Sequence, residues 1–384
     1  MLDGSSNSST TDGWQPLPRG LTRRQLLRTG IAGTIASIVL GRALAGAATT
    51  QSTDEAKAKA KGDTMNAQPL LGPYGSGALK YAAQLIDCGA NAVWFHGFNT
   101  DAFEICQKHS LAACVEFKTF RADFKKRPEL IPIGIEGKSI RFGRLVQGVC
   151  LSKGQFLGEI EQDLLAGVRK FRPVGIWLDY LTYPGWFELA EPDLQQSCFC
   201  PDCIADFCRH ANVDATAPAE ILSRHQDRWT QYKCRRIAAL GARYAEIIRS
   251  HLPGCVIGAY MCPWTPDEFD GALTRIFAQD YSMLAPSIDV FTPLIYAKKS
   301  GRSGDWGCEF LQAAPKFVPA DRKVQLILDV LDFPDSLRAA ASCPRPSWGV
   351  QLFGGAEVFA DPQRAGIFRE AVERIRQSLP PAPA

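Results

Sequence analysis

What this sequence has little of excludes several functions before any motif is read. It has no excess of either charge: 43 Lys and Arg stand against 40 Asp and Glu in 384 residues. The first 47 residues hold Arg19, Arg23, Arg24, Arg28 and Arg42 against Asp3 and Asp12, so 38 of each sign remain beyond them. Such a balance offers no electrostatic case for binding nucleic acid or an anionic membrane. It has no long apolar run near the N-terminus: Ile31 to Leu40 falls far below the roughly 20 residues a membrane span needs. No repeat of fixed period is present, and no low-complexity stretch follows residue 70.

The N-terminus instead reads as an address. "LTRRQLLRTGIAGTIASIVLGRALAGAA" pairs Arg23 and Arg24 ahead of a modest apolar run and ends in small residues, Ala45-Gly46-Ala47. This is the pattern of a twin-arginine export signal over residues 1–47, with the twin-arginine translocase as partner during export. It implies a periplasmic or secreted protein with no membrane span once cleaved. Residues 48–69 read as a flexible linker, 70–378 as the folded domain and 379–384 as a disordered tail. Roughly 315 residues then remain, enough for one large barrel or two small domains.

Beyond residue 70, short apolar runs alternate with stretches of helical periodicity. The runs are Ala92–Phe95, Leu111–Phe117, Leu145–Leu151, Val174–Leu178, Cys255–Met261, Val290–Tyr296, Val324–Val330 and Val350–Phe353. Continuous rather than alternating apolar residues suit parallel strands buried on both faces. Eight such runs with intervening helices predict an α/β fold, a single (β/α)8 TIM barrel. A doubly wound sheet is the alternative, but "GFNTD" after the first run has only one glycine where a phosphate turn needs several.

In such a barrel the chemistry sits where strands end. The eight ends carry His96, Glu116 with Lys118, Ser152, Asp179 with Tyr180, "YMCPW" with Trp264, Tyr296 with Lys298, Asp329, and "GGAEVFAD" with Glu357 and Asp361. Carboxylates amid aromatic platforms suit carbohydrate chemistry, because sugar CH faces stack on rings while two acids cleave the acetal. Asp179, Glu116, Glu357 and Asp329 are the candidate catalytic acids, and His96, Lys118, Tyr180, Trp264 and Tyr296 the candidate substrate ligands. Each has a structural alternative: Asp179 as a loop cap, Glu116 as an ion-pair partner of Lys118, His96 as a core histidine, Asp329 and Glu357 as helix caps.

The stretch "GIWLDYLTYPGWFELAEPDLQQSCFCPDCIADF", with "VEFKTF", "VQGVCLS", "VFTPLIYAKKSGRSGDW" and "LFGGAEVFAD", resembles a group of glycoside hydrolases with an α-amylase-like barrel, over most of residues 70–378. That resemblance implies a catalytic carboxylate at Asp179, at the end of the fourth strand. It departs from the α-amylase pattern at the fifth strand, where "AYMCPWTPDEFD" offers only Glu268, displaced into the following segment.

Thirteen cysteines are many for this length, and four fall in "CFCPDCIADFC" as Cys198, Cys200, Cys203 and Cys208. Thiolates at C-x-C-x2-C spacing can hold a structural zinc, the fourth ligand being Cys208 or a residue of another loop. The loop after the fourth strand of certain β-galactosidases resembles this one in carrying a zinc-binding cysteine cluster. The alternatives are a disulfide formed after export, 198/203 or 200/208, or free thiols. No cofactor is expected in catalysis itself. Three functions are consistent with the residues: a glycosidase acting on a carbohydrate substrate, a barrel that binds sugar without cleaving it, and a metal-dependent oxidoreductase.

Overall fold

A computed structural model describes residues 68–141 and 148–379. The export signal, most of the linker and residues 380–384 lie outside the described residues.

Nine parallel strands form one sheet: β1 (Leu70–Tyr74), β2 (Ala92–His96), β3 (Ala112–Lys118), β4 (Gly175–Asp179), β5 (Val256–Met261), β6 (Val290–Ile295), β7 (Lys323–Val324), β8 (Leu326–Asp329) and β9 (Gly349–Phe353). The order β5-β4-β3-β2-β1-β9-β8-β6-β7, with a further pairing of β5 to β6, closes the sheet on itself. β7 and β8 both pair with β6, as two pieces of one barrel position. The result is an eight-stranded (β/α)8 barrel.

The strand residues alternate between two apolar layers. Trp94, Cys114, Trp177, Val256, Val290 and Ile327 pack together in the barrel interior. Val93, Phe95, Val115, Ile176 and Leu178 face outward into the larger core beneath the helices. Two tryptophans in one interior need small neighbours: a Cβ at Gly258 would meet the Trp177 indole at 2.4 Å. The surrounding helices present matching stripes. Phe156, Leu157, Ile160, Leu164 and Val168 form the buried face of the helix Gly154–Phe171, recurring at three- and four-residue intervals. Among the described residues no helix is long and apolar enough to cross a membrane.

The strand count expected from the sequence is right, but one member differs. Leu145–Leu151 does not supply the third strand. Within it, the described residues 148–151 form loop with a single antiparallel bridge, Gly148 to Arg121, and Val149 and Leu151 bury their side chains in the outer core without joining the sheet. The missing strand is β1, whose "LLGPY" is short and punctuated by Gly and Pro and so carries little strand signal. His96 therefore ends the second barrel strand and Glu116 stands near the end of the third, while Ser152 ends none. Asp179 keeps its place on the fourth.

Candidate active site

The alternation that fills the barrel interior also fixes what stands at its rim. Continuing each inward-facing series toward the strand ends gives Tyr74, His96, Glu116 and Lys118, Asp179, Tyr260 and Phe353. A cavity of about 530 Å³ opens there, lined by Tyr74, Glu116, Lys118, Asp179, Tyr260 and Phe353 from the strands, Tyr180, Trp186 and Glu188 from the segment after β4, and Tyr296 and Lys299 after β6.

Register decides the neighbours. His96 lies opposite Glu116 across β2 and β3, and Lys118 lies opposite Asp179 across β3 and β4. His96 Nδ1 stands 3.4 Å from Glu116 Oε2, Lys118 Nζ stands 3.5 Å from Glu116 Oε1, and the Tyr74 hydroxyl donates to Glu116 Oε2. The end of β4 is stitched to the segment after β3: the Asp179 carbonyl accepts from the Thr119 N–H at 2.9 Å and its hydroxyl at 2.7 Å. Tyr180 then takes φ 57°, unusual for a residue with a side chain, and its N–H donates to Asp179 Oδ1 at 3.0 Å.

The two buried carboxyl groups resolve their charge by dividing it. Burial raises Asp179 well above the usual carboxylate range, and the adjacent negative charge of Glu116 raises it further. Burial acts on Glu116 in the same direction, but hydrogen bonds from His96 and Asp179, the charge of Lys118 and the Tyr74 hydroxyl outweigh it and bring Glu116 down to about 2. Asp179 is thus the protonated member, donating to an ionised Glu116.

A second acidic group lines the same cavity. Glu188, half-buried on the segment after β4, is raised to about 7, chiefly by burial, with Asp329 adding to the shift and Lys299 opposing it. Asp329 is buried; its Oδ1 accepts from the Leu331 N–H at 2.9 Å, the capping role foreseen for it, and its Oδ2 lies 2.6 Å from Lys299 Nζ. The Lys299 ammonium also sits 4.5 Å over the Tyr296 ring. Trp186, Tyr180, Tyr296 and Phe353 supply ring faces to the same cavity.

Near the end of the same connection the thiols converge. Cys150, Cys198, Cys200 and Cys203 are all buried, with sulfurs within 4.8 Å of one another. Cys150 Sγ is 3.6 Å from Cys200 Sγ and 3.7 Å from Cys203 Sγ. Four thiolates bound tetrahedrally at about 2.3 Å would be roughly 3.8 Å apart, so the spacing fits zinc. The Ile133 N–H donates to Cys198 Sγ at 3.2 Å, an outer bond of the kind that orients metal ligands. The cluster can therefore bind a metal ion such as zinc. Its fourth member is Cys150, from the apolar run read as a strand, and not Cys208. Five residues after Cys203 on one helix, Cys208 points about 140° away and donates to the Ala215 carbonyl at 3.2 Å. The disulfide among the described residues joins Cys308 to Cys343.

Solved structures of similar architecture include glycoside hydrolases. The glycoside hydrolase domain of PgaB (BpsB) from Bordetella bronchiseptica matches with a TM-score of 0.61 at 10% identity, over 79% of this chain and 99% of that one. A β-galactosidase from the Antarctic haloarchaeon Halorubrum lacusprofundi matches at 0.56 and 11% identity, over 81% and 59%. A GH42 β-galactosidase from G. stearothermophilus matches at 0.57 and 10% identity, over 80% and 57%. The fold is that of a glycoside-hydrolase-like TIM barrel. At these identities the likeness is of fold alone, and this chain spans under two thirds of either β-galactosidase. No protein-family model matches the sequence, and no curated protein matches it.

Of the residues singled out from the sequence, Asp179, Glu116, Lys118, Tyr180 and Tyr296 meet at this cavity with His96 beside them, and Asp329 stands behind Lys299. Glu357 does not join them: it lies in a 3-10 turn with its side chain 68% exposed, paired with Lys80 at 3.1 Å. Trp264 is buried behind the lining, its ring 4.2 Å from that of Phe269. Tyr74, Glu188, Lys299 and Cys150 were missed. Tyr74 ends a strand too short to recognise, Glu188 sits nine residues beyond a strand end, and Lys299 directly follows the lysine that was noted. Cys150 lies inside an apolar run, far along the chain from the other cysteines.

Proposed function

We propose that the protein is an exported glycoside hydrolase that cleaves a glycosidic bond of a poly- or oligosaccharide, with Asp179 as proton donor. The observation that carries this reading is the Asp179–Glu116 pair on an aromatic-lined cavity at the C-terminal rim of the barrel. A carboxyl group kept protonated at neutral pH is able to protonate the glycosidic oxygen as the C1–O bond breaks. Glu116, bonded directly to Asp179, leaves no room for a sugar between them. It acts instead as the fixed charge that holds the proton on Asp179.

The second reacting carboxylate is Glu188. In its ionised form it attacks C1 or takes the proton of an attacking water. A carboxyl separation of about 5–5.5 Å would impose the first course with retention, and roughly 6.5–9.5 Å the second with inversion. The anomeric configuration of the first product, read by NMR, distinguishes them. Kinship with α-amylase-like barrels belongs to this proposal as well. Asp179 stands where such a barrel carries its strand-four carboxylate, whereas β5 ends at Met261, and Glu268 is occupied with the Thr265 N–H at 2.8 Å and with Arg302. Glu188 takes the place of the absent strand-five acid.

The test is Asp179→Asn, assayed on a panel of oligosaccharides with binding measured in parallel. Turnover should fall by about 10²- to 10⁴-fold while binding persists. Full activity in this variant would refute the proposal, and a wild type that binds sugars but cleaves none would favour a binding-only barrel.

We also infer that Cys150, Cys198, Cys200 and Cys203 hold one structural zinc, which shapes the segment after β4 and takes no part in the chemistry. Less than about a tenth of an equivalent of zinc in freshly purified protein would count against it, and redox-active iron in its place would favour an oxidoreductase. Export is part of the same proposal and rests on Arg23 and Arg24; replacing both by Lys should leave the protein in the cytoplasm.

A further inference from the structure

Two of the cations that line the cavity are matched to carboxylates: Lys118 to Glu116 and Lys299 to Asp329. Arg121 is the exception. It lines the same cavity, yet among the described residues no acid pairs with it, and its charge is felt instead by the Tyr180 hydroxyl. Residues 142–147, FGRLVQ, hold no acid in their sequence either.

Its position is fixed by the backbone. Arg121 makes an antiparallel bridge to Gly148 and follows Thr119 by two residues, and Thr119 is bonded twice to the Asp179 carbonyl. The chain thus delivers a guanidinium to the cavity that holds the proposed proton donor, where its charge acts on Tyr180. A planar guanidinium presents two parallel N–H donors that match a carboxylate, a geometry that an ammonium does not reproduce.

We propose that Arg121 receives the carboxylate of an acidic sugar, so that the substrate class of this site is an oligosaccharide containing uronic acid. The assignment of a substrate rests on the hydrolase reading above, but the recognition itself is tested by binding. The ring faces of Tyr180 and Trp186 would carry the sugar body while Arg121 holds its acid group at the rim.

The experiment titrates wild type, Arg121→Gln and Arg121→Lys with matched pairs of oligosaccharides: glucuronate against glucose, galacturonate against galactose, mannuronate against mannose, and one sulfated neutral sugar. Arg121 is exposed, so the variants should melt with the wild type. The acidic member of at least one pair should bind about tenfold more tightly at low ionic strength, with the preference weakening in salt. Arg121→Gln should erase that preference and leave the neutral sugar unaffected, and Arg121→Lys should restore part of it. No preference in any pair, a preference that survives Arg121→Gln, or a preference for the sulfated sugar would each overturn the proposal. Acidic sugars bound through Arg121 but never cleaved would leave it standing while the hydrolase reading failed; cleavage of neutral sugars alone would do the reverse.

Discussion

The connection after β4 gathers ionisable groups at both its ends, and the two ends treat them differently. At Asp179 the buried carboxyl meets Glu116, whose charge is kept by donors from three strands: Tyr74 on β1, His96 on β2 and Lys118 on β3. Around Cys198–Cys203 and Cys150 the four sulfurs receive the backbone N–H groups of Ile133 and Cys203 and face the Ser152 hydroxyl. The nearest cation, Lys153, is engaged by Asp202 at 2.9 Å. Burial penalises charge in both places, and what differs is who supplies the compensation. The first end has it built in and faces a cavity, which keeps a proton on Asp179 at the cavity wall. The second has no cation of its own, is closed to solvent, and is suited to an ion from outside.

Glu188→Gln would strain this contrast most. If Glu188 is the partner carboxylate, activity should rise through about pH 7 as it ionises and fall at higher pH as Asp179 loses its proton. The variant should lose roughly 10²-fold or more in kcat together with the limb near pH 7. A profile unchanged in shape would remove Glu188 from the chemistry.

Breaking the other end should cost stability more than catalysis. Cys150→Ser should abolish stoichiometric metal and lower the melting temperature by several degrees, as loss of a buried ligand does, while Cys208→Ser should change neither by more than about 1 kcal/mol equivalent. Limited proteolysis would locate the loosening between residues 185 and 210. Equal effects from the two serines would mean that the four sulfurs do not act as one unit.

The smallest effect sharpens the electrostatic half of the comparison. Tyr74→Phe removes one of the donors to Glu116, a bond to a charged group worth about 1.5–3 kcal/mol. Glu116 should then titrate higher by carboxylate-specific infrared or NMR measurement, and kcat should fall about tenfold. The fold should persist, since the ring still packs 5.2 Å from that of Phe353. An unmoved Glu116 would show that His96 and Lys118 suffice.

How much of this was legible in the sequence depended on distance along the chain. Asp179 and Glu116 could be read because each occupies an inward position at or near the end of a recognisable apolar run. Glu357 and Trp264 misled because both follow a strand by a few residues, and beyond a strand end sequence distance no longer sets direction. Glu357 turns to water on a 3-10 turn; Trp264 folds back onto Phe269 and Phe277. Cys150 was hidden inside an apolar run, since a cysteine there is indistinguishable from a small hydrophobe until its neighbours in space are known.

By itself, then, the order of amino acids determined the barrel, because runs of apolar residues buried on both faces leave parallel strands under helices as the economical arrangement. It also determined that acids and aromatics would share the rim, because side chains on a strand alternate with period two. Tertiary structure alone decided which carboxyl keeps its proton, which cysteine completes the cluster and which arginine goes unmatched. These are properties of groups brought together from residues 74, 96, 116, 118 and 179, or from 150 and 198 to 203. Charge and metal affinity depend on distances of a few ångströms, which only the closed barrel sets.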